Sequence, residues 1–349
     1  MRSIIFVTFS ATVLWIAAAL GGMKPVDLAA INNNVHIKHL QPRYVAFAGR
    51  AQRLNTAVKQ LCRRMTPAGL AATRRAFHDA VDAWQSIEHF RSGPANEHNA
   101  HARLNFWPDR RGRVGKHLRR LLVAPDTSRL TPKIFAQGSV AVQGFTALER
   151  LLFGEETGVN LNSGGAVPRS CAIAVAISGN IDALSGSLAE IVARDPFGKA
   201  NAKEVTATIF NDLATGLGAV ADLKLGSPLG IKSGRVRQKR AEHWRSGRAL
   251  RNIVLNLTAL RDLYVIIADG AGRRLSGSPE DQLIREQFNT VIRDANAAGP
   301  TLATALEDVR GQARLKALHA SIGDLRELVI IHVSEALGLT LGFNSLDGD

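Results

Sequence analysis

Carboxylates, arginines and tryptophans at helical spacing mark where this chain could do chemistry. In the stretch from Val140 to Phe153, VAVQGFTALERLLF, helical spacing aligns Val142, Phe145, Glu149 and Leu152, with Leu148 and Leu151 widening the seam. Glu149 thus faces apolar surroundings, where a buried charge needs a partner or a proton. It reads either as half of a structural ion pair or as the acceptor for a bound group. A second seam, Phe77, Val81, Trp84, Glu88 and Arg91, ends in charge. It reads as a polar pocket below Trp84, with a local Glu88–Arg91 contact as the plainer alternative. In RLNFWPDRRGR, Asp109, Arg111 and Arg113 sit beside Phe106 and Trp107, and Pro108 bars a regular helix. That stretch is either a turn seating the aromatic pair on the core or a ligand-lining loop. Arg245, Arg248, Asn252 and Asn256 make a polar lane that either faces solvent or grips a carboxylate or a neighbouring domain. His332 falls on a seam with Leu325, Val329, Ala336 and Leu339, as a core histidine or a pH-sensitive group.

Helices must position these groups. Alanine and leucine are abundant and aromatics scarce, which favours helix over sheet. After a polar lead-in containing Asn32, Asn33 and Asn34, helical patterns run from about Tyr44 to Met65, from Pro67 to Gly93-Pro94, and from Val114 to Val123. Gly154 closes the central helix and a Gly/Asn/Ser-rich loop runs from Glu155 to Pro168. Further helices are predicted over Arg169 to Arg194, Lys203 to Leu225, the stripe Leu250, Ile253, Val254, Leu257, Leu260 and Tyr264, and Leu315 to Leu341. The pattern lapses at Gly226 to Gly234. The expected architecture is all-α: two helical-bundle domains packed side by side with a cleft between them, over 35–225 and 235–349, with a linker at 226–234.

The 349 residues are 46% apolar and carry a formal charge of +14. The charge is spread over arginine-rich faces, so solvated faces explain it, or an acidic partner or anionic envelope surface. No nucleic-acid module or aromatic platform accompanies it, and no nucleic acid is expected. Arg2, the apolar run Ile4 to Leu20 and the small residues after it read as a signal peptide over residues 1–22, or as an uncleaved anchor that would make the protein membrane-associated. No cysteine follows the run, which argues against a lipid anchor. Export permits a Cys62–Cys171 disulfide, and independent buried thiols remain the alternative.

Gly144-Phe145-Thr146-Ala147-Leu148-Glu149 resembles the GxHxxE motif of the imelysin-like proteins, with Thr146 where the histidine belongs. AWQSIEHFRSGP, FWPDRRGR, SGRALRNI and the terminal LGFNSLDGD agree with the same family in the expected order. The resemblance implies two helical bundles with a site in the cleft, a Gram-negative periplasmic or membrane-associated setting, and a link to iron or other metal acquisition. The family was named for a metallopeptidase and its motif histidine has been read as a metal site. A threonine hydroxyl binds zinc poorly, HExxH is missing, and His89, His98, His101, His117 and His243 form no i,i+4 histidine pair. The expectation is therefore a non-enzymatic periplasmic protein that binds iron, a ferric chelate or haem, or assists an envelope transport or receptor protein. Its cleft would hold Trp84, Arg91, Trp107, Asp109, Gln143, Glu149, Arg245, Arg248 and Asn252. Glu149 would be the central acceptor. Glu149 and Asp109 are the candidate metal ligands, for iron or another oxygen-ligated cation ahead of zinc. The alternatives are a hydrolase with Glu149 as general base and a metal held by Asp109 or the C-terminal aspartates, and a structural partner-binding module of the envelope.

Overall fold

The computed structural model describes residues 25–93, 99–124, 126–154 and 167–339. The N-terminal apolar run, the 155–166 loop and the tail with Phe343, Asn344, Asp347 and Asp349 lie outside the described residues. Asp27 caps α1 (Leu28–Val35) by accepting from the Ala30 amide at 2.9 Å. α1 continues through a π turn (His36–Leu40) into α2 (Gln41–Arg63). The expected polar lead-in is therefore helical. Asn32 is tolerated there because its amide nitrogen donates to the Ala202 carbonyl at 2.8 Å and its oxygen accepts from the Thr206 hydroxyl at 2.9 Å.

Thr66 and Pro67 separate α2 from α3 (Pro67–Gln85), with the Thr66 hydroxyl accepting from the Gly69 amide at 3.0 Å. Leu70, Phe77, Val81 and Trp84 form its buried face. α3 ends at Gln85, so Glu88 and Arg91 do not share its seam: Glu88 is buried and Arg91 is exposed. After α4 (Ala100–Leu104), Asp109 opens α5 (Arg113–Val123) by accepting from the amides of Arg113 at 2.8 Å and Val114 at 3.0 Å. α6 (Pro132–Ala136) follows. The central stretch is then not one helix: a 3₁₀ turn (Val140–Val142) and Gly144 precede α7 (Phe145–Phe153). A Cβ on Gly144 would lie 2.1 Å from the Leu104 carbonyl oxygen, so glycine is what lets this turn close on α4. Phe145, Leu148, Glu149, Leu151 and Leu152 are all buried, as the spacing predicts.

α8 (Val167–Arg194) packs along α2 and against α7, while α3 packs on α2. From Arg169 to Arg194 this helix is long and apolar enough to cross a membrane by composition; here half of its most apolar window is buried within the protein. A disulfide joins Cys171 near its start to Cys62 near the end of α2, with Cα atoms 5.5 Å apart. α9 (Ala202–Gly218) opens with a capping box between Asn201 and Glu204 and runs through a second π turn (Ala219–Gly226) into α10 (Ser227–Leu229). α11 (Ala249–Ala271), α12 (Pro279–Ala297), α13 (Leu302–Glu307) and α14 (Val309–Leu337) complete a fold with no strand among the described residues.

The helices fall into two packed groups. One holds α2, α3, α7 and α8; the other holds α1, α9, α11, α12 and α14. Helices on both sides of the 226–234 stretch pack together, α9 against α11 and α14, and α1 against α11. That last contact is close: a Cβ on Gly270 would lie 2.4 Å from Ile31 Cγ1. One hydrophobic cluster runs through both groups. In α14 the buried seam is Ile322, Leu325, Val329, Val333 and Ala336, so His332 sits one position off it and is half-buried.

The disulfide closes a long segment, with its cysteines 109 residues apart in sequence. Replacing both with serine is expected to cost about 2–5 kcal/mol, chiefly by freeing the unfolded chain. Thermal melts of wild type with and without reductant, beside the double-serine variant, check this. Equal midpoints would show that the crosslink constrains nothing.

Candidate functional site

Where the start of α5 and one face of α7 meet the segment from Asp222 to Arg245, the protein forms an open cavity of about 590 Å³. Glu149 reaches it from α7. It is 2% exposed, and its Oε1 accepts from both the Ser246 amide at 2.9 Å and the Ser246 hydroxyl at 2.7 Å. The buried carboxylate is thus satisfied by a serine and its backbone. Among the described residues no ion pair to Glu149 is found, so the structural ion pair, one of its two sequence readings, is not what holds it. Trp107, Asp109 and Arg245 line the same cavity. Trp107 Nε1 donates to the Arg240 carbonyl at 3.2 Å, and the Arg245 guanidinium lies 4.1 Å from the Trp244 ring centroid.

The other expected site residues do not line it. Trp84 is a core side chain, with its ring centroid 5.5 Å from that of Phe47 and 4.9 Å from that of His101. Gln143 is fully buried: its Oε1 accepts from Arg103 Nε at 2.8 Å, and its Nε2 donates to the carbonyls of Phe135, Ala136 and Gly138. Arg248 pairs with Asp82. The polar lane fails because α11 begins only at Ala249, leaving Arg245 and Arg248 on the preceding turns, while Asn252 and Asn256 are buried. Arg91 borders a separate small crevice with Glu88, His89 and Lys224. Thr146, in the motif position, lines the cavity with a buried hydroxyl oxygen that has no hydrogen-bond partner.

Sequence reasoning missed the buried charges packed around the cleft. Lys224, in the second π turn, is 4% exposed and pairs with Glu88 after α3 and with Glu242 before α11, the latter at 2.7 Å; it also donates to Gln85 Oε1 at 2.6 Å. Asn105 and Asn252 donate to the two oxygens of Glu242 at 2.6 and 2.8 Å. Burial pushes the Glu242 carboxyl up, but the Lys224 ammonium and these hydrogen bonds outweigh it and hold the carboxyl down to about 2. Glu88 moves the other way, raised by burial and by the charge of Glu242 against the pull of Lys224. The available signal was a lysine inside the apolar run AVADLKLG. Glu88 lies far away in sequence and Glu242 lies 18 residues on, beyond the 226–234 stretch, and no periodicity connects them.

A resident metal does not fit these residues. Both oxygens of Asp109 already accept backbone amides, one oxygen of Glu149 is taken by Ser246, and no cluster of three or more His, Cys, Asp or Glu side chains suited to a metal exists among the described residues. The buried charges instead serve the fold. Lys224→Met strands two carboxylates in the interior and is expected to cost about 3–5 kcal/mol. Because Glu242 is depressed in the folded state, its contribution is present above the ordinary carboxylate range and is lost as the pH falls through about 2. Denaturant midpoints of wild type and Glu242→Gln from pH 7 to pH 2 should converge toward the acid end; parallel curves would remove Glu242 as the acid-sensitive group.

The imelysin family model matches residues 40–329. The fold is similar to the crystal structure of an imelysin-like protein from Psychrobacter arcticum 273-4, at 18% identity and a TM-score of 0.73, covering 92% of this chain and 100% of that one. It is also similar to a provisionally named iron-regulated protein A precursor from Parabacteroides distasonis ATCC 8503, at 16% identity and a TM-score of 0.72, covering 90% and 97%. Iron-regulated protein A of Synechococcus elongatus is 32% identical over 113 residues, which are 32% of this chain and 28% of that protein. Match over most of the length and agreement of fold lead to one conclusion: the chain belongs to the imelysin family.

Proposed function

We propose that this is an exported, non-enzymatic imelysin-like protein that binds an anionic iron chelate in the cavity beside Glu149 and serves an envelope transport or receptor protein. The observation that carries the reading is the sign of the cavity's charge. Arg110, Lys232, Arg237 and Arg240 line it, together with Arg150, Lys239 and Arg245, which have partners of their own, and the carboxylates beside them are Asp109, Glu149 and Asp222. A site rich in guanidinium groups favours carboxylate or phosphate over a bare cation. Glu149, fixed by Ser246, supplies an acceptor for a hydroxyl group on the ligand, and the Trp107 and Trp244 rings give the cavity apolar wall. The iron link rests on the names of the Synechococcus relative and the Parabacteroides structure. Export is supported by the apolar N-terminal run and by the Cys62–Cys171 disulfide, a bond that persists in oxidising compartments.

Calorimetric titration with ferric citrate tests the reading. Saturable binding that weakens with salt is expected, and Arg110→Glu with Arg240→Glu should weaken it at least about tenfold. Zinc and ferrous ions alone should give no saturable heat. A wild-type chain that binds no citrate complex removes the ligand-binding reading. Peptide cleavage that chelators abolish and Glu149→Gln eliminates would replace it with the hydrolase.

A further inference from the structure

His243 lines the cavity, is 1% exposed, and its Nε2 is buried with no hydrogen-bond partner. Its backbone is equally unusual: φ is +47°, a left-handed conformation that non-glycine residues seldom adopt. The turn holds it there. The His243 carbonyl accepts from the Arg248 amide at 3.1 Å and from the Ser246 hydroxyl at 3.2 Å, the same hydroxyl that donates to Glu149. The ring packs edge-on to Phe77 and Phe145, at centroid distances of 6.1 and 6.4 Å.

The protonation pattern of the ring follows from its other nitrogen. Asn252 Nδ2 lies 2.8 Å from Glu242 Oε2 and 3.0 Å from His243 Nδ1. An amide nitrogen has two hydrogens, and here one serves each neighbour. Turning the amide over would set its oxygen against the Glu242 carboxylate, which is held in place by Lys224. His243 Nδ1 is therefore an acceptor, and the ring hydrogen sits on Nε2. The ring thus carries a buried N–H donor that has no partner among the described residues, on a side chain that lines the cavity.

We infer that His243 is the hydrogen-bond donor that recognises an oxyanion in this cavity, through Nε2–H, and that Lys224, Glu242 and Asn252 are the positioning residues that keep the proton there. The imidazole absent from the motif at Thr146 is supplied from the facing turn, in a donor role instead of as a metal ligand, since a metal would need the Nε2 lone pair. This rests on the anion-binding reading above and assigns its recognition atom.

Two measurements on the full chain test it. Nitrogen-15 NMR of histidine-labelled wild type should show His243 as the Nε2–H tautomer without any ligand; a ring protonated on Nδ1 with Nε2 bare overturns the proposal. Calorimetry with citrate and, separately, inorganic phosphate identifies the oxyanion. His243→Phe should weaken the bound species at least about tenfold, the value of a charge-assisted hydrogen bond. His243→Gln, which keeps a side-chain N–H donor, should stay within about threefold of wild type. Binding by His243→Phe equal to wild type overturns this proposal alone. No binding of either oxyanion by wild type overturns the anion-binding reading on which it stands.

Discussion

The cleft depends on one ammonium group. Lys224 reaches from the second π turn to carboxylates that follow α3 and precede α11, so a single buried cation fastens three segments that are remote in sequence. Taking such charges out of water costs several kcal/mol each, and their attraction offsets this only because the remaining lone pairs are filled by Asn105 and Asn252. The arrangement therefore says more about specificity of docking than about net stability. Any register that parts the two groups of helices leaves a carboxylate buried without its counter-charge.

From that cluster the order passes outward by hydrogen bonds. Glu242 fixes Asn252, Asn252 fixes the tautomer of His243, and the His243 turn presents the Ser246 hydroxyl and amide to Glu149. A carboxylate on α7 is thereby locked to a turn from the other helical group without an arginine. The family motif loses its histidine at Thr146, and the cavity loses the nitrogen ligand that a zinc hydrolase would use there. Arginine and lysine side chains outnumber carboxylates among the residues that line the space.

What is legible in the sequence is the burial pattern set within one helix. Glu149 was placed in an apolar seam because Phe145, Leu148 and Leu152 are its helical neighbours, and all of them are buried. Trp84 is equally legible as a buried side chain, but it packs on Phe47 and His101 and not in the cavity, because periodicity says that a face is covered and not by what. Arg91 and Arg248 fail at element ends: α3 stops at Gln85 and α11 starts at Ala249, and a pattern extended past a terminus keeps its spacing but loses its geometry. Gln143 reads as a ligand group in isolation, whereas Arg103 and the carbonyls of Phe135, Ala136 and Gly138 engage its side chain.

By itself, the sequence determined that the protein is helical, that it resembles the imelysin-like family, that α7 carries a carboxylate into the core, and that the motif lacks an imidazole. These follow from local spacing and residue type, which act within a few residues along the chain. Only the tertiary structure decided that serine and not arginine meets Glu149, that Cys62 bonds Cys171, that Lys224 joins Glu88 to Glu242, and that His243 lines the cavity. Hydrogen bonds and ion pairs form over about 3 Å, so partners some hundred residues apart are chosen by how the helices pack, and that choice leaves no periodic trace in the chain.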